Sequence, residues 1–228
     1  MISHKHKCIF IHIPKCAGTS IEKSLGHHDD YYGQRGRQDH RNLRMIQNPI
    51  PISNIFLDGN MREVIQRLRN NFRDSGGGNP KNKYRVSDHE YASYYKFTFV
   101  RNPYARVCSW YRNVMRDDVH KNRYGINDHV SLYNFIKIFS NSRMLKSQIS
   151  YIKNFQGDIP MDFIGRFENL NYDYRHVQKK LNLPEIMLPH EISGEINSNY
   201  QEFYDKDAKN LVSNMYAEEI ELFGYSFD

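Results

Sequence analysis

Cysteine is scarce in this chain, with only Cys8, Cys16 and Cys108 among 228 residues. Three thiols cannot build a disulfide framework, so the small secreted scaffolds that depend on one are excluded and reduced thiols are expected. No apolar run approaches the roughly 20 residues that a membrane-spanning helix needs. The opening MISHKHKCIFIHIPK becomes strand-like too soon for a secretory signal. Internal repeats are absent, as are RNP, zinc-finger and helix-turn-helix patterns. The run His27-His28-Asp29-Asp30 lacks a second His or Cys pair at zinc-like spacing, so it reads as a polar loop and no metal is expected.

The polar balance is basic but mixed. Lys and Arg number 32 against 26 Asp and Glu, giving a net charge of +6 and a pI near 9.1. That suits anionic ligands without naming one. The 17 Tyr and 13 Phe could stack on bases. They fall in apolar-periodic segments, where core packing accounts for them, so no nucleic acid partner is expected. At 228 residues, one domain with a sizeable core is predicted, spanning 1–228.

Two segments carry chemistry. The first is IFIHIPKCAGTSIEKSL, residues 9–25, an apolar strand, a short turn and a helix. The first backbone N–H groups of a helix have no internal partner, and the helix dipole adds positive charge there, so a phosphate suits that end. Lys15 adds a full charge, and Thr19 and Ser20 add hydroxyl donors. The spacing is not that of a nucleotide-triphosphate loop, where lysine directly follows the second glycine; here Lys15 precedes Gly18 by three residues. The plainer alternative is an ordinary strand–helix turn, with Gly18 for geometry and Ser20 as a cap.

The second segment is FTFVRNPYARVCSWYR, residues 97–112. Phe97–Val100 suits a buried parallel strand, Asn102 a helix cap and Pro103 a first helical residue. Arg101 stands at the carboxyl end of that strand. Arg106, Ser109 and Arg112 follow at three-residue steps, on one predicted helix face. Ligands of open α/β sheets lie outside the carboxyl ends of strands, so two such ends suggest a ligand with two phosphate clusters.

IPKCAGTS resembles the 5′-phosphosulfate loop of sulfotransferases, and FVRNPYARVCSWY resembles their 3′-phosphate motif, in which an Arg and a Ser eight residues later hold that phosphate. FIGRFENL at 163–170 and ELFGYSF at 221–227 also look familial. The pattern is similar to the carbohydrate sulfotransferases of family 2, which include heparan-sulfate 2-O-sulfotransferases and small bacterial enzymes. The resemblance implies an α/β, three-layer P-loop-like domain with a short, mainly parallel central sheet flanked by helices. It implies 3′-phosphoadenosine 5′-phosphosulfate as donor, adenosine 3′,5′-bisphosphate as product, and sulfuryl transfer to an acceptor hydroxyl, on a carbohydrate. Lys15, Ala17, Gly18, Thr19 and Ser20 would take the 5′ side and Arg101 and Ser109 the 3′ side. Lys15 would also stabilise charge on the leaving phosphate. Golgi relatives carry a membrane anchor; none is seen here, which points to a bacterial-type cytoplasmic enzyme.

An acceptor hydroxyl must lose its proton as the new bond forms, and histidine is the default base at neutral pH. Of the eleven histidines, His40 in GRQDHRNLRMI is selected, with His89 and Glu22 as alternatives. His12 is expected to pack in the first strand. Cys16 is not a phosphatase nucleophile, since C-x5-R would require arginine where Glu22 stands.

The remainder is read as scaffold. Residues 48–95 look like an insertion between the two motifs. Within it, 62–73 is predicted helical, with Val64, Ile65, Leu68 and Phe72 on the apolar face and Arg62, Arg69 and Arg73 opposite. The glycine-rich loop 74–83 is expected to be mobile, as a lid. Helices are expected over 131–153, from Asn169 to Leu181, and over 205–222. Relatives fold a basic segment over the adenosine near 190–204; this chain offers Ser193, Glu195, Asn197, Ser198 and Tyr200 there, without Arg or Lys. Two rival functions stand beside sulfuryl transfer. A small-molecule kinase would need magnesium and a carboxylate to hold it. A non-catalytic nucleotide- or nucleic-acid-binding module would bind without turnover.

Overall fold

The computed structural model describes residues 1–33, 36–57, 59–72, 78–185, 187–188 and 199–227. In chain order the strands are β1 (Ile2–Ser3), β2 (Cys8–Ile11), β3 (Tyr95–Val100) and β4 (Phe163–Arg166). The helices are α1 (Gly18–Ser24), α2 (Leu43–Ile46), α3 (Asn60–Phe72), α4 (Asp88–Ser93), α5 (Pro103–Met115), α6 (Asp118–Arg123), α7 (Leu132–Ile138), α8 (Ile149–Ile152), α9 (Leu170–Lys180), α10 (Lys206–Met215) and α11 (Ala217–Phe223). The chain divides into two compact units, Met1–Val100 with Ile149–Glu191, and Arg101–Gln148 with Ile192–Asp228.

The first unit holds the sheet, in the order β1-β2-β3-β4 among the described residues. β1 is an antiparallel edge, while β2, β3 and β4 run parallel, with Ile11 opposite Thr98 and Val100 opposite Arg166. All four residues of β2 and the last five of β3 are buried, as expected of parallel strands covered on both faces. The fold is α/β with a short, mainly parallel, P-loop-like sheet and flanking helices, as the two strand–turn–helix blocks predicted. The parallel register puts the carboxyl ends of β2 and β3 side by side.

α3 forms where the periodicity places it, with Arg62 and Arg69 exposed on the expected polar side, but Ile65 and Leu68 of the apolar stripe are exposed as well. Met61, Ile65 and Leu68 are exposed, whereas Asn60 and Glu63 are buried. The buried side is anchored by hydrogen bonds. Asn42 Nδ2 donates to Glu63 Oε2 at 2.9 Å, Arg44 Nη1 to Asn60 Oδ1 at 2.9 Å, and Asn60 Nδ2 to the Phe155 carbonyl at 2.9 Å. Polar partners from α2 and the residues before it therefore decide which side faces in. The side chains of Phe72 and Arg73 lie outside the described residues.

The part of the expected lid that is described is tied to the rest of the first unit by hydrogen bonds. Residues 80–83 form a 3-10 turn that clamps the loop after α1. Lys81 Nζ donates to the carbonyls of Gly26 (2.8 Å) and Asp29 (2.9 Å), Asn79 Nδ2 to that of His27 (2.8 Å), and Asn82 Nδ2 to those of Gly36 and Gln38. Residues 74–77 of that stretch lie outside the described residues.

The second unit is helical. Val107, Trp110, Tyr111 and Val114 of α5 pack with Leu132, Phe135 and Ile136 of α7, and with Ala208 and Val212 of α10. Trp110 and Phe135 meet edge to face at 4.9 Å. The predicted helix over 131–153 is broken: α7 ends at Ile138, a 3-10 turn covers Arg143–Leu145, and α8 belongs to the first unit. The predicted terminal helix is two helices, because Tyr216 leaves helical geometry at φ −122° to bury its ring in the core. Ser193, Glu195, Asn197 and Ser198 lie outside the described residues. Tyr200 donates its hydroxyl to the Phe227 carbonyl at 2.7 Å, which ties that segment to the tail.

Candidate active site

β2 leads through His12, Ile13 and Pro14 into a turn whose backbone is unusual. Lys15 (φ 69°) and Ala17 (φ 60°) both occupy the left-handed region, which glycine tolerates far better than either. Ala17 is the N-cap of α1, yet no side chain caps the helix and its first turn has no acidic residue. The orphan N–H groups of the first turn and the helix dipole therefore meet no side-chain carboxylate or hydroxyl acceptor from the cap. Lys15, Ala17 and Thr19 are half-buried and Gly18 and Ser20 buried. Thr19 Oγ1 accepts from Gln38 Nε2 at 2.9 Å.

Gly18 is explained by contact rather than by dihedral freedom, since its φ is not positive. A Cβ there would lie 2.0 Å from His12 Cδ2 and 2.3 Å from His12 Nε2. The histidine ring thus lies flush against the start of α1. His12 packs as expected, buried against Phe10 just past the end of β2, but it also makes polar contacts. Its Nδ1 sits 3.0 Å from Glu22 Oε1, and its ring centroid is 4.1 Å from that of His40.

Glu22 is fully buried, so it is not the exposed helix carboxylate considered for it. Its Oε1 accepts from His12 Nδ1 (3.0 Å) and from the Asp39 N–H (3.0 Å); its Oε2 pairs with His28 Nε2 at 3.1 Å. Burial alone would raise its pKa, but the positive charge available on His12 and the hydrogen bonds from His12 and His28 outweigh burial and hold it well below the usual carboxylate range. Glu22 is therefore ionised. The His27-His28 pair is correspondingly not a solvated polar loop: both rings are buried, and His27 Nε2 donates to Asn82 Oδ1 at 2.7 Å. Among the described residues no group of three or more His, Cys, Asp or Glu is placed to hold a metal ion.

His40 is half-buried, and its Nδ1 lies 3.2 Å from the His12 carbonyl oxygen. A carbonyl only accepts, so Nδ1 carries the proton and the neutral ring bears its lone pair on Nε2. Asp39 does not tune His40 directly. Its carboxylate is committed to Arg41, with Nη2 at 2.6 Å, and burial is outweighed by the charges of Arg41 and the Met1 ammonium, so its pKa is held low. His89 is exposed on α4, just before the amino end of β3. β3 has six residues, about 20 Å of strand, and His89 precedes its start. That puts it at the wrong end of the sheet for a ligand at the carboxyl ends.

In the second unit Arg101 is the residue after β3, and its backbone is gripped at both ends. Its N–H donates to Gln148 Oε1 (2.9 Å) and its carbonyl accepts from Gln148 Nε2 (2.8 Å). Gln148 is itself held by Glu219, whose Oε2 accepts from the Gln148 N–H at 2.6 Å. Asn102 caps α5 as predicted, its Oδ1 accepting from the Tyr104 N–H at 3.0 Å, with Pro103 in the first turn. The expected row of anion-binding groups along α5 separates. Arg106 is buried, donates to the carbonyls of Met144 (3.0 Å) and Lys146 (2.9 Å), and lies over the Tyr216 ring. It is a core residue. Ser109 is half-buried, and Arg112 lines a groove of about 720 Å³ with Tyr111, His129, Glu202 and Phe203.

Similarity to known proteins is decisive on family. The sulfotransferase family model matches residues 1–226, so the match runs through both units. The chain is a member of the sulfotransferase family. An uncharacterized protein of Archaeoglobus fulgidus is 30% identical to this sulfotransferase over 128 residues, covering 54% of this chain and 92% of that protein. No solved structure matches it. Family membership makes the chain an enzyme of sulfuryl transfer. No helix among the described residues is long and apolar enough to cross a membrane.

Sequence reading placed Lys15, His40, Arg101 and Ser109 at or just beyond the ends of β2 and β3, or on the elements that follow them. It missed His12, Glu22 and His28 as a connected group. The available signal was the co-occurrence of His12, Glu22 and His28 within one strand–helix block that sequence periodicity treats as scaffold.

Proposed function

We propose that this sulfotransferase takes its sulfuryl group from 3′-phosphoadenosine 5′-phosphosulfate and delivers it to an acceptor hydroxyl on a carbohydrate. The carbohydrate rests on the likeness of IPKCAGTS and FVRNPYARVCSWY to the carbohydrate-directed enzymes. The observation that supports the chemistry is the hydrogen bond from His40 Nδ1 to the His12 carbonyl, which leaves the lone pair of the neutral ring on Nε2. Lys15 belongs to the turn that follows the same strand as His12.

In the proposed reaction the acceptor oxygen attacks sulfur, and its proton passes to His40 Nε2. The bond from sulfur to the bridging phosphate oxygen breaks, and the electron pair leaves on adenosine 3′,5′-bisphosphate. Lys15 neutralises that oxygen, with the N–H groups of Ala17, Gly18 and Thr19 and the hydroxyls of Thr19 and Ser20 on the 5′-phosphate. Arg101 and Ser109 are assigned to the 3′-phosphate, where a guanidinium gives bidentate binding. No metal takes part in this scheme, and the site is proposed to work in the cytoplasm.

Calorimetry with adenosine 3′,5′-bisphosphate, AMP and ATP, without added metal, tests the donor. The bisphosphate is expected to bind tightest. Arg101→Ala is expected to weaken the bisphosphate at least tenfold more than AMP; equal losses would remove Arg101 from the 3′-phosphate. His40→Ala is expected to abolish transfer from the phosphosulfate to a polysaccharide panel while leaving bisphosphate affinity within about threefold. Tighter ATP binding would favour the kinase.

A further inference from the structure

Glu22 has no exposed surface, so it touches neither donor nor acceptor, yet an ionised carboxylate is kept in the interior beside the proposed base. Its contacts say what it does. Oε1 takes both the His12 Nδ1–H and the backbone N–H of Asp39. Those residues hold His40 from two sides: the His12 carbonyl accepts from His40 Nδ1, and Asp39 is the residue before His40 in the chain. One carboxylate oxygen thus joins the end of β2 to the segment that carries His40. The second oxygen is occupied by His28, so the side chain cannot swing without losing bonds on both sides.

We infer that Glu22 is a positioning residue that fixes the tautomer and orientation of His40; this rests on the reading of His40 as the base. The tilted packing of the His12 ring on that of His40, with centroids 4.1 Å apart and planes at 53°, gives the carboxylate a second route of influence. A buried anion near the imidazoles favours their protonated forms, because desolvation leaves little water to screen it. Glu22 would then hold His40 in its Nδ1–H tautomer and make Nε2 a stronger proton acceptor. The other charged or titratable groups facing Glu22 are His12 after β2, His27 and His28 after α1, Asp39 with its partner Arg41, and the Met1 ammonium. Their balance includes both signs, so removing Glu22 alone leaves Asp39 as the nearby carboxylate and shifts the site toward positive charge.

Side-chain ¹⁵N NMR of histidine in the full chain tests this, with the His40 signals assigned by their loss in His40→Gln. In the parent protein, neutral His40 is expected as the Nδ1–H tautomer. In Glu22→Gln, which keeps the shape and removes the charge, the Nε2–H tautomer is expected to grow in. The His40 titration midpoint is expected to fall by about half a pH unit or more. Transfer from the phosphosulfate is expected to drop about tenfold or more, with adenosine 3′,5′-bisphosphate affinity unchanged. Glu22→Asp retains charge and is expected to recover part of both signals. An Nε2–H tautomer for His40 in the unmodified protein would overturn the inference, even if no variant folds. So would an unchanged His40 in folded Glu22→Gln. If His40→Gln still transfers sulfuryl groups, the base assignment fails, while the tautomer and titration of His40 still decide the role of Glu22.

Discussion

Gly18→Ala is the most searching small change available. The added methyl would sit 2.0 Å from His12 Cδ2, 2.3 Å from Nε2 and 2.5 Å from Cγ. Contact between non-bonded carbons needs about 3.5–4.0 Å, so the ring must retreat by about 1.5 Å or more. It has little room. Phe10 stacks on one side at 5.9 Å, His40 lies at 4.1 Å, and Nδ1 is tied to Glu22 at 3.0 Å. Overpacking of a filled interior costs about 1–3 kcal/mol. Losing a hydrogen bond to a charged group costs about 1.5–3 kcal/mol more. The sum, about 2.5–6 kcal/mol, is a large part of the about 5–15 kcal/mol that holds a typical domain together. At about 2–4 °C per kcal/mol for a chain of this size, the melting temperature is expected to fall by about 5–24 °C in a circular-dichroism melt. His12→Ala placed in the same background removes the clash, so the double variant is expected to melt no lower than His12→Ala alone. The reasoning is refuted if Gly18→Ala melts with the parent and instead loses only bisphosphate affinity. That result would mean the glycine is there for the approach of a phosphate, as in other phosphate loops, and that His12 yields easily.

Three further outcomes are expected. Burial pushes the Cys8 thiol up to about 12 and the Cys108 thiol up to about 11, and Cys16 is equally buried, so the native protein should give no fast reaction with Ellman's reagent at pH 8 and three equivalents once unfolded. A rapid native equivalent would contradict the buried placement. Burial raises the Glu219 carboxyl above its ordinary value despite the Arg106 charge and the hydrogen bonds from Gln148 and Ser147. A raised folded pKa contributes stability below the unfolded value, and that contribution is lost as pH rises through the folded one. Urea midpoints of Glu219→Gln should therefore improve relative to the parent between pH 4 and pH 8, and a flat difference would refute the shift. On α3, Glu63→Ala should cost about 2–3 kcal/mol by stranding Asn42 and Arg44, whereas Ile65→Ser should cost under about 0.5 kcal/mol. Equal costs in chemical denaturation would mean α3 is seated the other way round.

The legible parts of this chain were those written in neighbouring residues. β3, the Asn102 cap and Pro103 in the first turn of α5 follow from a few consecutive side chains, so they could be read directly. The positions of Lys15 and Arg101 beyond strand ends follow for the same reason. What could not be read depends on partners far apart in sequence. Periodicity found α3 but not its inward face, because Asn42 and Arg44 supply the polar contacts. Three-residue spacing grouped Arg106 with Ser109, but the carbonyls of Met144 and Lys146 draw its guanidinium into the core. Glu22 looked like a surface residue one turn into a helix, since nothing local announces that His12, His28 and the Asp39 N–H will surround it. The end of α10 carries no glycine or proline; the break at Tyr216 comes from where its ring is needed.

The clamp formed by Asn79, Lys81 and Asn82 has an evolutionary consequence. Its acceptors on the facing loop are mostly main-chain carbonyls, at Gly26, His27, Asp29, Gly36 and Gln38. Every amino acid presents the same carbonyl, so these bonds do not depend on the loop's side chains, the His27 ring against Asn82 excepted. Exposed positions of that loop, such as Asp30 and Tyr32, can therefore change while three donors on another segment keep its path constant. The two halves of this device sit some fifty residues apart in the chain, so a change at an exposed loop position leaves the donors that hold it untouched.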